Sequence, residues 1–170
     1  MHACERDCTP DHIVSLLLER GADVNRQSNE GDTALVMLAR RGDSTKIQLL
    51  IRHNADVNYR NGRGRTALME YDQNFNKGVA GLEALLQAGA EVDAQDCDGN
   101  SALMLCVKNS QTTAVSALLK HGARVDMANH ERMTAVQLAE VLSSAHSGSN
   151  AARQIYLQVR QRAQGVVGLR

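Results

Sequence analysis

Apolar residues in this chain recur in short runs with helical spacing, and each run ends at a glycine or a group of polar residues. Leu35, Leu38 and Ala39 mark one face of a predicted helix, and the apolar residues of 47–51 mark another. Gly42 separates the two runs. Because helices of this length are not stable in isolation, the pattern predicts pairs of short helices that pack on each other.

The helix pair is repeated along the chain. A pentapeptide of the type Gly-Ala-Asp-Val-Asn recurs at steps of 33, 35 and 33 residues. Its copies are GADVN at 21–25, NADVN at 54–58, GAEVD at 89–93 and GARVD at 122–126. A second register keeps the same steps and begins at Thr33, Thr66, Ser101 and Thr134. Two registers that share the same two-residue excess indicate an internal repeat whose unit is a hairpin, a helix, a turn and a helix.

This unit resembles the ankyrin repeat. The resemblance rests on GADVN, on the turn pattern D-x-D-G-x-[ST]-A-L, and on residues 16–22, Leu-Leu-Leu-Glu-Arg-Gly-Ala, which are similar to the family's second helix and its exit. The family's Thr-Pro-Leu-His tetrapeptide is altered here, since TALV, TALM, SALM and TAVQ lack both the proline and the histidine. The resemblance implies an all-α ankyrin-repeat solenoid of stacked helix-turn-helix units with β-hairpin fingers.

The repeat boundaries predict one domain over residues 1–164, with about five repeats of which the first and last are incomplete or capping. The repeats are 1–21, 22–54, 55–89, 90–122 and 123–164, followed by a tail at 165–170. The chain is expected to begin inside the first helix of repeat one, which favours a fragment of a longer protein. After a serine-rich loop, Asn150 is expected to cap a final helix that reaches about Gln164 and closes the solenoid.

Composition excludes several function classes. Lys plus Arg and Asp plus Glu are 19 each, so no overall field attracts nucleic acid or an anionic membrane. One Phe, three Tyr and no Trp leave few platforms for base stacking. The apolar run at 13–18 is far too short to span a membrane. We therefore expect no nucleic-acid partner and no membrane insertion.

Candidate chemistry is sparse. Cys4, Cys8, Cys97 and Cys106 contain no Cys-x-x-Cys pair, and Cys4, Cys8 and His12 make at most a partial metal set without a fourth ligand. No local motif places a nucleophile beside a base. We therefore predict no catalytic residue, no metal and no cofactor. Free thiols favour a reducing, cytoplasmic location, which includes a host cytosol if the chain is a secreted effector.

The resemblance implies a protein partner, bound by a monomeric chain on a concave surface of hairpin tips and first helices. The hairpin of repeat three carries three Arg and one Tyr in seven residues, a composition that interface hot spots favour. Repeat three also has a Tyr where other repeats have a small residue, and it contains the two-residue insertion. The predicted partner-binding residues are Tyr59, Arg60, Arg63, Arg65, Tyr71, Phe75, Asp96, Asp98, His130 and Arg132.

Three alternatives stay open. The arginines of repeat three could instead pair with acidic hairpins on either side, and Tyr71 and Phe75 could instead fill the gap that the insertion makes. At the level of function, the chain could be the targeting arm of a larger multidomain effector or enzyme whose catalytic part lies outside it. A sensor for a small ligand or a nucleic acid is disfavoured by the neutral charge and the few aromatic residues.

Overall fold

A computed structural model describes residues 11–71, 78–145 and 149–167, and within these ranges it contains eight helices. They are α1 (Asp11–Glu19), α2 (Ala34–Arg40), α3 (Ser44–Arg52), α4 (Ala80–Gln87), α5 (Ala102–Lys108), α6 (Thr112–Lys120), α7 (Ala135–Ala145) and α8 (Asn150–Val167). The chain divides into an N-terminal unit, Met1–Glu91, and a C-terminal unit, Val92–Arg170. The fold is all-α, as the repeat pattern predicted.

The N-terminal unit is built around α3, which packs against α2 and α4. Thr33 caps α2, because its hydroxyl accepts a hydrogen bond from the N–H of Val36 at 3.4 Å. Leu35, Ile47 and Leu82 are each at most 1% exposed and contribute one core residue from each helix. The apolar face of each short helix is thus covered by its neighbour, which supplies the stability that the isolated helices lack.

In the C-terminal unit, α5 packs on α6 and α7, and α8 packs on α7 and α6. The buried side chains of Ile155 and Val159 attach α8 to this core. The predicted cap at Asn150 is wrong by one position, since the hydroxyl of Ser149 accepts from the N–H of Ala152 at 3.4 Å. The helix also continues to Val167, beyond the expected end.

Four hairpin fingers precede the first-helix positions of the repeats. We call them finger two (26–33), finger three (59–66), finger four (93–101) and finger five (126–134). In each, one backbone N–H donates to the carbonyl four residues later. The pairs are Ser28 to Asp32 at 2.8 Å, Asn61 to Arg65 at 3.0 Å, Asp96 to Asn100 at 2.9 Å and Asn129 to Met133 at 3.0 Å. The fingers therefore share one backbone design.

The turn of each finger contains one residue with a left-handed backbone. Glycine occupies this position in fingers two, three and four, and Arg132 occupies it in finger five with φ of 60°. A side chain with a Cβ is disfavoured in this conformation. Arg132 therefore holds a backbone conformation that glycine holds at lower cost in the other fingers.

Repeat three departs from the predicted helix pair. Residues 67–71 form a turn, in which the N–H groups of Met69 and Glu70 both donate to the carbonyl of Thr66. Thr66 therefore caps no helix, and its buried hydroxyl has no hydrogen-bond partner among the described residues. The predicted first helix of repeat three is wrong over these residues. In this turn, the side chain of Glu70 contacts Arg65, and the hydroxyl of Tyr71 donates to the carbonyl of Gly78.

Candidate protein-interaction site

Fingers two and three are braced against each other. The side-chain amide of Asn61 donates to Oδ1 of Asp32 at 2.9 Å, and the hydroxyl of Tyr59 donates to the carbonyl of Gly31 at 2.9 Å. The Asn61 amide oxygen also accepts from two N–H groups of its own loop, each at 3.0 Å. Because both hairpins are fixed in this way, the side chains at their tips are presented from an ordered backbone.

A charge network lies beneath these fingers. Arg40 donates from Nη2 to Oδ2 of Asp32 at 2.9 Å and from Nε to Oε2 of Glu70 at 3.1 Å. Nη1 of Arg65 lies 3.5 Å from Oε1 of Glu70. The carboxylate side chains are only 6% and 1% exposed, so they need these cations to offset the cost of desolvation.

The network also shifts the pKa of Arg40. Burial is the largest single effect and lowers this pKa, but the hydrogen bonds to Glu70 and Asp32 and the negative charges of these carboxylates together raise it above the ordinary value. Arg40 therefore stays charged and acts as a permanent link between finger two and repeat three.

A polar cleft of about 470 Å³ opens between the two fingers. Its lining residues are Glu30, Asp32, Arg40, Asn61, Gly62 and Arg63. Glu30 and Arg63 are exposed, whereas Asp32 and Asn61 are buried and engaged with each other. The cleft thus offers one exposed anion and one exposed cation above a fixed polar floor.

The structure separates the predicted residues of finger three into two groups. Arg60 and Arg63 are exposed, and Tyr59 is half-buried with its hydroxyl bound to finger two. The side chain of Arg65 is 20% exposed and contacts Glu70. The alternative, in which the arginines pair with carboxylates of the protein itself, applies to Arg65, whose partner Glu70 lies in the same repeat.

Tyr71 requires a correction, because its side chain lies in the interior and is 4% exposed. Its hydroxyl donates to the carbonyl of Gly78 at 3.0 Å and accepts from the N–H of Gly81 at 3.2 Å. The ring fits there because Gly81 has no side chain to occupy the same space. Tyr71 takes the gap-filling role that the sequence left open, and Phe75 lies outside the described residues.

In the C-terminal unit, Asp96 also requires a correction. It is 6% exposed, and its Oδ1 accepts from the N–H groups of Asp98 and Asn100 at 3.0 and 2.8 Å, so it shapes the turn of finger four. Asp98 and His130 are exposed, and the N–H of His130 donates to the carbonyl of Asp98 at 3.0 Å. Arg132 is exposed at the neighbouring tip.

Sequence reasoning missed the roles of Asp32, Arg40 and Glu70. A signal for two of them was present, because Arg40 follows Asp32 by eight residues and Lys108 follows Asn100 by the same interval. In the structure Nζ of Lys108 donates to Oδ1 of Asn100 at 3.0 Å, which matches the contact between Arg40 and Asp32. A repeated spacing between a basic and a polar residue therefore identifies this contact.

The described residues contain no group of three His, Cys, Asp or Glu side chains that could hold a metal ion. Cys97 and Cys106 are free thiols, the first exposed and the second buried. Burial raises the pKa of Cys106 to about 12. Cys4 and Cys8, two of the three residues of the weak metal set, lie outside the described residues. No described helix is long and apolar enough to cross a membrane.

Comparison with known proteins gives one family and short local matches. A family model described as "Ankyrin repeats (3 copies)" matches residues 1–70 and 73–151. "Protein fem-1 homolog A" of Danio rerio is 40% identical over 60 residues, which are 35% of this chain and 10% of that protein. "Protein glp-1" of Caenorhabditis elegans is 41% identical over 56 residues, which are 33% of this chain and 4% of that protein. The match therefore spans a tenth or less of each of these relatives.

Proposed function

This chain belongs to the ankyrin-repeat family, and from that premise we propose that it is an interaction scaffold whose protein partner docks on fingers two and three. Ankyrin repeats are generally protein-interaction modules. The observation that carries the proposal is the polar cleft between the fingers, with the exposed guanidinium of Arg63 at its rim. Arg is favoured at interface hot spots because its planar group can bind a carboxylate in a bidentate way.

Two features of the site support this function. The braced hairpins need little ordering when a partner binds, so less conformational entropy is lost on association. Exposed Arg63 and Glu30, which both line the cleft, also favour a partner with both charges in a fixed arrangement, which gives specificity. We further propose that the chain acts as a cytoplasmic monomer and has no catalytic activity.

The test compares three immobilised proteins in quantitative capture from a lysate of the source cells. They are the natural chain, Arg63→Glu, and the control Arg153→Glu, which reverses the same charge on α8. A partner of the fingers should be retained by the natural chain and the control, and Arg63→Glu should weaken its binding by at least about 2 kcal/mol. Equal retention of every partner by Arg63→Glu would refute this site.

A second candidate is that the chain is the targeting arm of a larger effector or enzyme. The short matches to 10% and 4% of two relatives favour this view, because in those proteins the similar segment is a small part of the whole. The full-length transcript decides between the two: an open reading frame that encodes no further domain before or after this chain would remove the second candidate.

A further inference from the structure

A second surface lies on the C-terminal unit, where α6 and α8 border a groove of about 480 Å³. Each helix contributes residues spaced by three or four positions, which share one helix face. They are Ser116, Leu119 and Lys120 of α6, and Gln158, Gln161 and Arg162 of α8. Two continuous stripes therefore face the groove, and no finger residue takes part.

The groove carries positive charge that the described residues do not balance. Lys120 and Arg162 are exposed, and neither side chain forms an ion pair with a described residue. Neither α6 nor α8 contains an aspartate or glutamate. Arg40 and Arg65, in contrast, are already engaged with carboxylates. The cations at the groove are thus free to meet an anionic partner.

The groove also offers apolar area and an unused acceptor. Leu119 lies half-buried in it. The amide oxygen of Gln158 is buried without a hydrogen-bond partner among the described residues. An unsatisfied buried acceptor costs free energy, and rotation of the amide toward the groove would let a bound N–H satisfy it.

We propose that this groove docks an acidic peptide segment of a partner protein. Carboxylates of the segment pair with Lys120 and Arg162, an aliphatic side chain covers Leu119, and a donor of the segment binds Gln158. The choice of a peptide rests on chemistry, since two cations, an apolar side chain and a buried acceptor match the carboxylates, aliphatic side chains and N–H groups of an acidic peptide. The proposal uses no residue of fingers two and three, so it stands or falls independently of the finger site.

The test uses phage-displayed random peptides of about 12 residues, selected on the full chain after depletion on the double variant Lys120→Gln/Arg162→Gln. The selected peptides should be rich in Asp and Glu together with aliphatic residues. Their affinity, measured by fluorescence anisotropy, should fall by about tenfold or more in the double variant. The matched control is Arg153→Gln, which removes one charge from the opposite side of α8 and should change affinity by less than about twofold.

Circular dichroism and urea unfolding check that the double variant keeps its fold, as exposed substitutions should. The proposal is overturned if no acidic peptide remains after depletion, or if the selected peptides bind Arg162→Gln and Arg153→Gln equally well. Co-sedimentation of the full chain with phosphatidylcholine vesicles that contain phosphatidylserine provides a separate arm. If the chain binds these vesicles, the double variant does not, and no acidic peptide binds, the groove would instead be assigned to a membrane surface, and the peptide proposal would be wrong.

Discussion

Replacing Gly81 by alanine should destabilise the protein, although alanine is the better helix former. A Cβ at this position would lie 2.6 Å from Cε2 of Tyr71 and 2.9 Å from Cδ1 of Ile47. Ordinary carbon contacts are about 3.5 to 4.0 Å, so the ring has to move by roughly 1 Å. That movement strains the hydrogen bonds of the Tyr71 hydroxyl to Gly78 and Gly81.

The magnitude follows from three effects. Overpacking a core costs about 1 to 3 kcal/mol, and weakening two hydrogen bonds adds about 1 kcal/mol. The gain in helix propensity returns about 1 kcal/mol. We therefore expect the free energy of unfolding to fall by about 1 to 3 kcal/mol in Gly81→Ala, measured by urea denaturation.

A matched control is Gly165→Ala in α8, where an added Cβ meets no atom within 4 Å. It should leave stability unchanged or raise it by up to about 1 kcal/mol. Tyr71→Leu should partly rescue Gly81→Ala, with a coupling of at least about 1 kcal/mol in the double-mutant cycle. A Gly81→Ala protein as stable as the natural chain would show that Tyr71 does not occupy this space.

Three further predictions concern stability. Since burial raises the pKa of Cys106 from 9.0 to about 12, the folded state keeps a proton that the unfolded chain loses above pH 9. Stability should thus be insensitive to this thiol below pH 9 and fall by about 1.4 kcal/mol per pH unit as pH rises from 9 toward 12, relative to Cys106→Ala in parallel urea titrations. Arg132→Gly should raise the melting temperature because it relieves about 1 kcal/mol of backbone strain. Asn54→Gly should change the melting temperature less, because asparagine tolerates the left-handed backbone that Asn54 adopts at φ of 61°. Equal shifts in the two variants would contradict the argument. Arg65→Glu should lower stability by about 1 to 3 kcal/mol by placing a second carboxylate beside buried Glu70, whereas Arg63→Glu should change it by less than about 0.5 kcal/mol, and equal thermal unfolding of the two variants would count against the network.

The fold was predictable because the same sequence pattern occurs in several repeats. Helix starts at Thr33 and Ser101, and left-handed turns at Gly31 and Gly99, occupy equivalent positions of the sequence repeat. Repeat three was less predictable because it is the one unit that breaks the register. Its turn at 67–71 replaces a helix whose sequence, from Thr66 onward, begins like the others.

The partner site was less predictable than the fold, because composition does not show which side chains are already occupied. The sequence predicted Asp96 and Tyr71 as partner-binding residues. Both side chains are instead buried and form hydrogen bonds with backbone groups. A short polar side chain that accepts from nearby N–H groups acts as part of the turn. Such residues stabilise the finger and are not available to a partner.

Finger three shows how this problem can be resolved from sequence in a repeat protein. Arg63 and Arg65 are alike in composition and only two residues apart, but one is exposed and the other contacts a buried carboxylate. The distinguishing residue is Glu70, a charge in a register where the equivalent helices are apolar. Since a buried carboxylate requires a nearby cation, its presence implies that at least one neighbouring arginine is part of the structure. Subtracting Arg65 in this way leaves Arg60 and Arg63, which are both exposed. Of these two, Arg63 lines the cleft, so recognition at this site should depend on Arg63.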